Sequence, residues 1–388
     1  MSIRIQRYIG GSTAYTFAAN SSIGVFPIED SEILSGDRID CLWLNVKVKL
    51  TSGTETTIQV DDDDELLDLI SAVLGSVNFA TPRYQAGAVN NVDAEVLHTV
   101  APAMGVQTRL NIGNLGEALT VGTAGAFTLR MSIPIAFVAR NTQVGGQFAM
   151  WGGFISDAQL QIRSGDGSAS LGGATWAVDT TASAFEFSIS ADATKGLSQT
   201  HGSTVQYWQQ SATSNRVNQT PDGVHLALAE VSTTPDSLGV ANNISNGIEV
   251  VDGDETLLMF TEYQPVQSAE VFYRGLPPAL AANLGRRFQG SHSATDSSGL
   301  SLRKFNPIFA LGMTDDPSQA PVGVLRVTFG SGWTPTSAII AGIRVPTASS
   351  GVKRGGGECA CHQSGSPVSA PSNPKLRPYV HRKAAKLV

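Results

Sequence analysis

The chain has 388 residues, 41% of them hydrophobic and only 15% charged, with a net charge of −7. Three cysteines exclude a disulfide framework, and no apolar run approaches the roughly 20 residues that a helical membrane span requires. Charge is unevenly placed: residues 353–388 carry seven basic residues against Glu358, a net of +6, which leaves −13 on residues 1–352.

The length allows two or more domains with real cores. Polarity comes mainly from Ser, Thr, Asn and Gln, and the 40 glycines supply turns, a mix that suits an all-β protein with many loops. Residues 1–35 lack a secretory apolar segment and are expected as an N-terminal arm of a soluble protein made in the cytoplasm.

The first clear strand is CLWLNVKVKL (41–50). Leu42, Leu44, Val46, Val48 and Leu50 point one way, while Trp43, Asn45, Lys47 and Lys49 point the other. Cys41 opens this pattern and reads as a reduced structural thiol.

DDDDELLDLISAVLG (61–75) follows. Leu66, Leu69, Ile70, Val73, Leu74 and Val77 recur at helical spacing, which predicts a helix over 64–77 with Asp63 or Asp64 as its cap. A calcium loop needs Asp at alternate positions and a central Gly. These aspartates are consecutive and the helix begins at once, so a helix start is the reading here, with a cation site as its competitor.

VDAEVLHTVAPAMG (92–105) predicts a short helix. In FTLRMSIPIAF, Phe127 to Phe137 alternate as a long strand whose Pro134 implies an edge position or a bulge. AQLQIR (158–163), AFEFSIS (184–190), VHLALAEV (224–231) and LRVTF (325–329) alternate likewise, with long loops expected at 198–222 and 289–300. Residues 268–288 could hold a helix broken at Pro277 and Pro278. The likeness of 129–133 to 325–329 and the two similar halves favour a duplicated β-domain of sandwich or jelly-roll type. The division is an arm over 1–35, a first unit over 36–165, a second over 166–350 and a Gly/Ser/Pro-rich tail over 351–388.

Motifs for an enzyme are missing: no G-x-S-x-G, P-loop, G-x-G-x-x-G or H-E-x-x-H occurs. His98, His201, His225, His292, His362 and His381 are scattered, and Asp252-Gly253-Asp254-Glu255 carries turn chemistry rather than a glycosidase pair. Cys359, Cys361 and His362 form the one cluster with ligand character, but structural zinc wants four ligands. No catalytic, metal or cofactor-binding residue is expected. The tail residues Lys353, Arg354, Lys375, Arg377, Arg382, Lys383 and Lys386 are the candidates for contact with an anionic surface, lipid or genome phosphate, without sequence-specific reading. A solvated tail, or one that braces neighbouring molecules, is the competing reading.

LNVKVKLTSGTETTIQV (44–60), read as a long first strand and its partner, and AGAFTLRMSIPIAFV (124–138) together resemble the double jelly-roll major capsid proteins of tailless, internal-membrane phages. That group is tectivirus-like and corticovirus-like, with a fold of the adenovirus hexon type. The resemblance implies two tandem jelly rolls and a homotrimeric, pseudo-hexagonal capsomer of an icosahedral virion, assembled in the host cytoplasm. It implies as partners neighbouring capsomers and penton or vertex proteins. The rival is a β-rich phage fibre or adhesin that binds host carbohydrate, with Trp151, Trp176, Trp208 and Trp333 as platforms.

Overall fold

A computed structural model describes residues 3–27, 37–61, 63–81, 84–104, 106–113, 116–123, 125–137, 150–151, 158–181, 184–195, 205–211, 216–217, 223–232, 245–252, 255–260, 322–329 and 338–345. The segments expected as a helix at 268–288, a loop at 289–300 and a tail from 351 lie outside the described residues.

The chain begins with β1 (Ile3–Tyr15), β2 (Ser22–Pro27), β3 (Arg38–Thr51) and β4 (Thr57–Ile58). Helix α1 (Asp63–Val73), β5 (Leu74–Thr81), β6 (Tyr84–Asp93) and helix α2 (Ala94–Val100) follow, with a 3-10 turn over Ala101–Met104. Next come β7 (Arg109–Leu110), β8 (Leu119–Thr120), β9 (Ala126–Ala136), β10 (Met150–Trp151), β11 (Gln159–Ser164), β12 (Ser168–Leu171), β13 (Ala174–Val178) and β14 (Phe185–Lys195). The second part holds β15 (Gln206–Ser211), β16 (Arg216–Val217), β17 (Gly223–Ser232), β18 (Ser245–Asp252), β19 (Glu255–Phe260), β20 (Val322–Phe329) and β21 (Ala338–Val345).

Four antiparallel pairs nest like a folded ribbon: β1 with β14, β2 with β11, β3 with β9, and β5 with β6. Ladders between β14 and β3, and between β11 and β5, roll that ribbon into two sheets. Counting those eight strands in chain order, the sheets read 1-8-3-6 and 2-7-4-5. This is the strand order of a jelly roll. Beyond residue 205 the order recurs: β15-β21-β17 takes places 1-8-3, and β16-β20-β18-β19 takes places 2-7-4-5. No described strand takes place six. The fold is all-β, with two short helices among the described residues, as two tandem jelly rolls.

The alternation of β3 has the expected consequence. Leu42, Leu44, Val46, Val48 and Leu50 are buried in one continuous core with Phe79, Leu160, Ile162 and Phe187. Each such side chain contributes about 1.5–3 kcal/mol by leaving water. β9 pairs with β3 without a register shift, so there is no bulge at Pro134, and among the described residues no strand pairs with Pro134 on the other side of β9, as the edge reading requires.

Several expectations need correction. The helix expected over 64–77 ends at Val73, because Gly165 N–H takes the Val73 carbonyl at 3.2 Å and Gly167 N–H takes that of Ala72 at 2.9 Å. Leu74 and Val77 belong instead to β5, held between β11 and β6. Thr57 and Ile58 pair with β8 and not with β3. The loop expected at 198–222 contains β15, where Tyr207 and Trp208 are buried. β1 and β2 come from the segment expected as an arm, and β14 from beyond residue 165, yet all three are strands of the first roll. The similar stretches 129–133 and 325–329 fall in β9 and β20, which hold different places in the two rolls.

The turn between β11 and β12 is packed against the end of α1. A Cβ on Gly165 would lie 1.8 Å from the Ser71 carbonyl oxygen and 2.5 Å from the Ala72 backbone, whereas one on Gly53 meets nothing within 4 Å. We predict that Gly165→Ala costs about 3 kcal/mol or more, since backbone must move to admit the methyl group. Gly53→Ala, at φ +83° in open space, should cost only about 1–2 kcal/mol for its left-handed backbone. Urea midpoints of the two variants check the contrast; equal losses would refute it.

Candidate functional site

The face of β1-β14-β3-β9 turned away from the core is polar and ordered by cross-strand contacts. On β3, Asn45 accepts from Ser132 Oγ at 2.8 Å and donates to Ser190 Oγ at 3.0 Å, which links β9, β3 and β14. Lys47 Nζ lies 2.7 Å from Glu186 Oε1, and Lys49 Nζ lies 2.7 Å from Asp179 Oδ2. The Lys49 ammonium and the Thr181 amide hold the Asp179 carboxyl down at about 2.

Trp43 is buried on this same face. Its Nε1–H donates to Asp192 Oδ2 at 3.2 Å, and the Arg109 guanidinium lies over the ring at 4.8 Å. Arg109 sits there because β7 pairs with β9, and Asn111 clips the exit of β7 to β9. Its Nδ2 donates to the Thr128 carbonyl at 2.9 Å, and its Oδ1 accepts the Arg130 N–H at 2.6 Å. These elements form a groove of about 630 Å³ lined by Asn45, Lys47, Arg109, Arg130, Ser132 and Glu186.

A second constellation joins the rolls. All seven residues of α2 are buried, including Glu95, His98 and Thr99, and the helix touches β5, β6 and β9 of the first roll and β17 and β21 of the second. β15 runs parallel to β6 at Tyr207↔Val89. Tyr207 OH donates to the Ala136 carbonyl at 2.5 Å, while Gln209 takes the Asp93 N–H at 2.7 Å and donates to Asp93 Oδ2 at 3.0 Å. Burial pushes the Asp93 carboxyl above its ordinary value, with the Gln209 hydrogen bond pulling the other way.

The residues singled out from the sequence fall in several places. Cys41 is buried, and its Sγ–H donates to the Leu42 carbonyl at 3.3 Å. Trp176 and Trp208 are core residues, 1% and 4% exposed, and are no sugar platforms; the side chains of Trp151 and Trp333 lie outside the described residues. His225 lies in β17, and Asp252 pairs with Glu255 across a hairpin connection, as the turn reading requires. Lys353, Arg354, Lys375, Arg377, Arg382, Lys383 and Lys386, with Cys359, Cys361 and His362, lie outside the described residues. The side chains of Asp63 and Asp64 do too, and the carboxylate observed at the helix start is that of Glu65, which accepts the Asp61 N–H at 2.8 Å. The groove itself was missed from the sequence. Its one signal was the polar alternation at Asn45 and Lys47; Arg109 and Arg130 join it only through strand register.

No protein-family model and no curated protein matches the chain. Among solved structures, it is similar to one of Sulfolobus Turreted Icosahedral Virus, with a TM-score of 0.46, 11% identity, and coverage of 88% of this chain and 90% of that one. It is also similar to the major capsid protein of bacteriophage PM2 (TM-score 0.42, 10% identity, 89% and 99% covered) and to the Faustovirus major capsid protein (0.42, 8%, 89% and 91%). At these scores the likenesses carry no argument; the strand order stands on the chain's own pairings.

Two carboxylates on this face should behave differently. Asp192→Ala leaves the buried Trp43 N–H without its acceptor and should cost about 1–3 kcal/mol. Glu186→Gln breaks an ion pair whose side chains are 43% and 47% exposed, and should cost less than about 1 kcal/mol. Thermal melts of both variants test the ordering, and a larger loss for Glu186→Gln would overturn this account of the face.

Proposed function

We propose that the chain is a structural, non-enzymatic protein of a virion: a major capsid protein that assembles as a homotrimer into the pseudo-hexagonal capsomers of an icosahedral shell. The observation that carries the reading is the jelly-roll strand order occurring twice in one chain. Jelly rolls serve shells and lectins alike, so a single roll would not choose between them. Two rolls per chain do favour one, because three copies then set six similar rolls around an axis and fill a hexagonal place in a lattice. Polar walls with little charge suit lateral packing, which avoids burying unpaired ions. The fibre or adhesin reading loses two of its four proposed platforms to the core at Trp176 and Trp208.

We further propose the division into two rolls with the first closing at β14, followed by a basic tail. On this reading Lys353, Arg354, Lys375, Arg377, Arg382, Lys383 and Lys386 meet an anionic surface inside the shell, phospholipid or genome, at about 1 kcal/mol per basic residue close to a lipid surface. Neighbouring capsomers and vertex proteins are the protein partners, and assembly takes place in the host cytoplasm.

Light scattering of the purified chain should give three times its 40.7 kDa mass. A stable monomer at micromolar concentration would count against the capsomer. For the tail, particles assembled without residues 353–388 should lose lipid or genome; retention equal to that of the full chain would remove the electrostatic role.

A further inference from the structure

We infer that the groove on the outer face of the first roll receives carboxylates from a second copy of this chain, and so gives the contact between copies a direction. The inference rests on the self-assembling reading above.

Lys47, Arg109 and Arg130 line the groove against the single acid Glu186, in a stretch of chain, 1–352, whose net charge is −13. Cations set side by side repel one another unless something anionic answers them. Lys47 is already answered by Glu186 at 2.7 Å. Arg109 and Arg130 have no carboxylate partner among the described residues, yet both are positioned. Arg109 lies over Trp43, and the Arg130 backbone is clipped by Asn111. With the Arg109 guanidinium held over Trp43 and the Arg130 backbone fixed on the neighbouring strand, the groove offers two guanidinium groups to carboxylates, which take paired N–H bonds.

The chain's own basic tail has the wrong sign to occupy this groove. The sequence DDDDE at 61–65 has the right one. Asp61 is exposed there, and Gly116 N–H to the Val60 carbonyl at 2.8 Å brings exposed Glu117 to the same corner. Glu65 is spent internally on the Asp61 and Gly172 amides, which fixes the corner's shape. The acidic corner and the cationic groove are different patches of one molecule. A contact joining unlike patches is heterologous, and it closes into a ring when the rotation allows.

Charge reversal tests this on the full chain. Arg109→Glu with Arg130→Glu, and separately Asp61→Lys with Glu117→Lys, should each weaken association about tenfold or more, because like charges then face each other. All four changes in one chain should restore it. Light scattering reads the association, and circular dichroism melts confirm folding. Should the double arginine variant fail to fold, Arg130→Gln replaces it and should weaken association by about threefold, since one charged contact is lost. Reversed variants that assemble like the unaltered chain, or a fourfold variant that stays weakened, overturn the inference and leave the capsomer standing. An unaltered chain that is itself monomeric overturns both.

Discussion

The pairing of β3 on both of its edges is the constraint from which the first roll follows. Leu42, Leu44, Val46, Val48 and Leu50 must all face the core, and a slip of one residue would turn that set away from it. β14 fixes that register along one edge from Arg38 to Val48, and β9 fixes it along the other from Cys41 to Thr51. Once β14 is held there, β1 has a single open edge to join, and Ile3 comes to lie opposite Lys195. The same logic places β5 between β11 and β6. Contacts so distant in sequence cost loop-closure entropy before they repay it, so the roll is expected to fold slowly and to depend on all four nested pairs.

How much of this could be read from the sequence follows from where the physics is local. β11 buries alternate side chains throughout, and β3, β9 and β14 do so over 44–50, 129–133 and 185–191, so their period of two is plain along the chain. Both helices were visible as apolar spacing. The end of α1 was not, because the apolar period runs on through Leu74 and Val77. It is the distant Gly165 and Gly167 amides that stop the helix. β15 was hidden by its glutamines: Gln206 is buried and accepts from Arg344 at 2.9 Å, a partner only the fold supplies. β1 and β2, in the segment expected as an arm, are edge strands, and edge strands are defined by what they pair with.

The groove shows the same division more sharply. Asn45 and Lys47 stood out as polar positions of one strand. Their meaning changes when register sets Ser132 and Arg130 on one side and Ser188 and Glu186 on the other. Arg109 gains its role only through two backbone pairs with β9. No motif encodes such a site, because its residues come from four strands that are far apart in the chain.

The seam between the rolls bears on what the proposed shell subunit would have to do. A tile transmits lateral force only if its halves move together, and here the coupling is buried rather than superficial. α2 is enclosed on every side, and β6 continues across into β15. The Tyr207 hydroxyl and the Gln209 carboxamide cross the seam to backbone and side-chain atoms of the first roll. Polar groups removed from water cost more when left unpaired than they return when paired, so each of these bonds penalises any opening of the seam. Burial of Asp93 sharpens the point: its raised pKa reflects a carboxylate whose charge is disfavoured there, and Gln209 is what makes that position tolerable. Contacts between copies can then be individually weak, as exposed ion pairs are. Two rolls locked into one body present those weak contacts together, and the proposed lattice would multiply them.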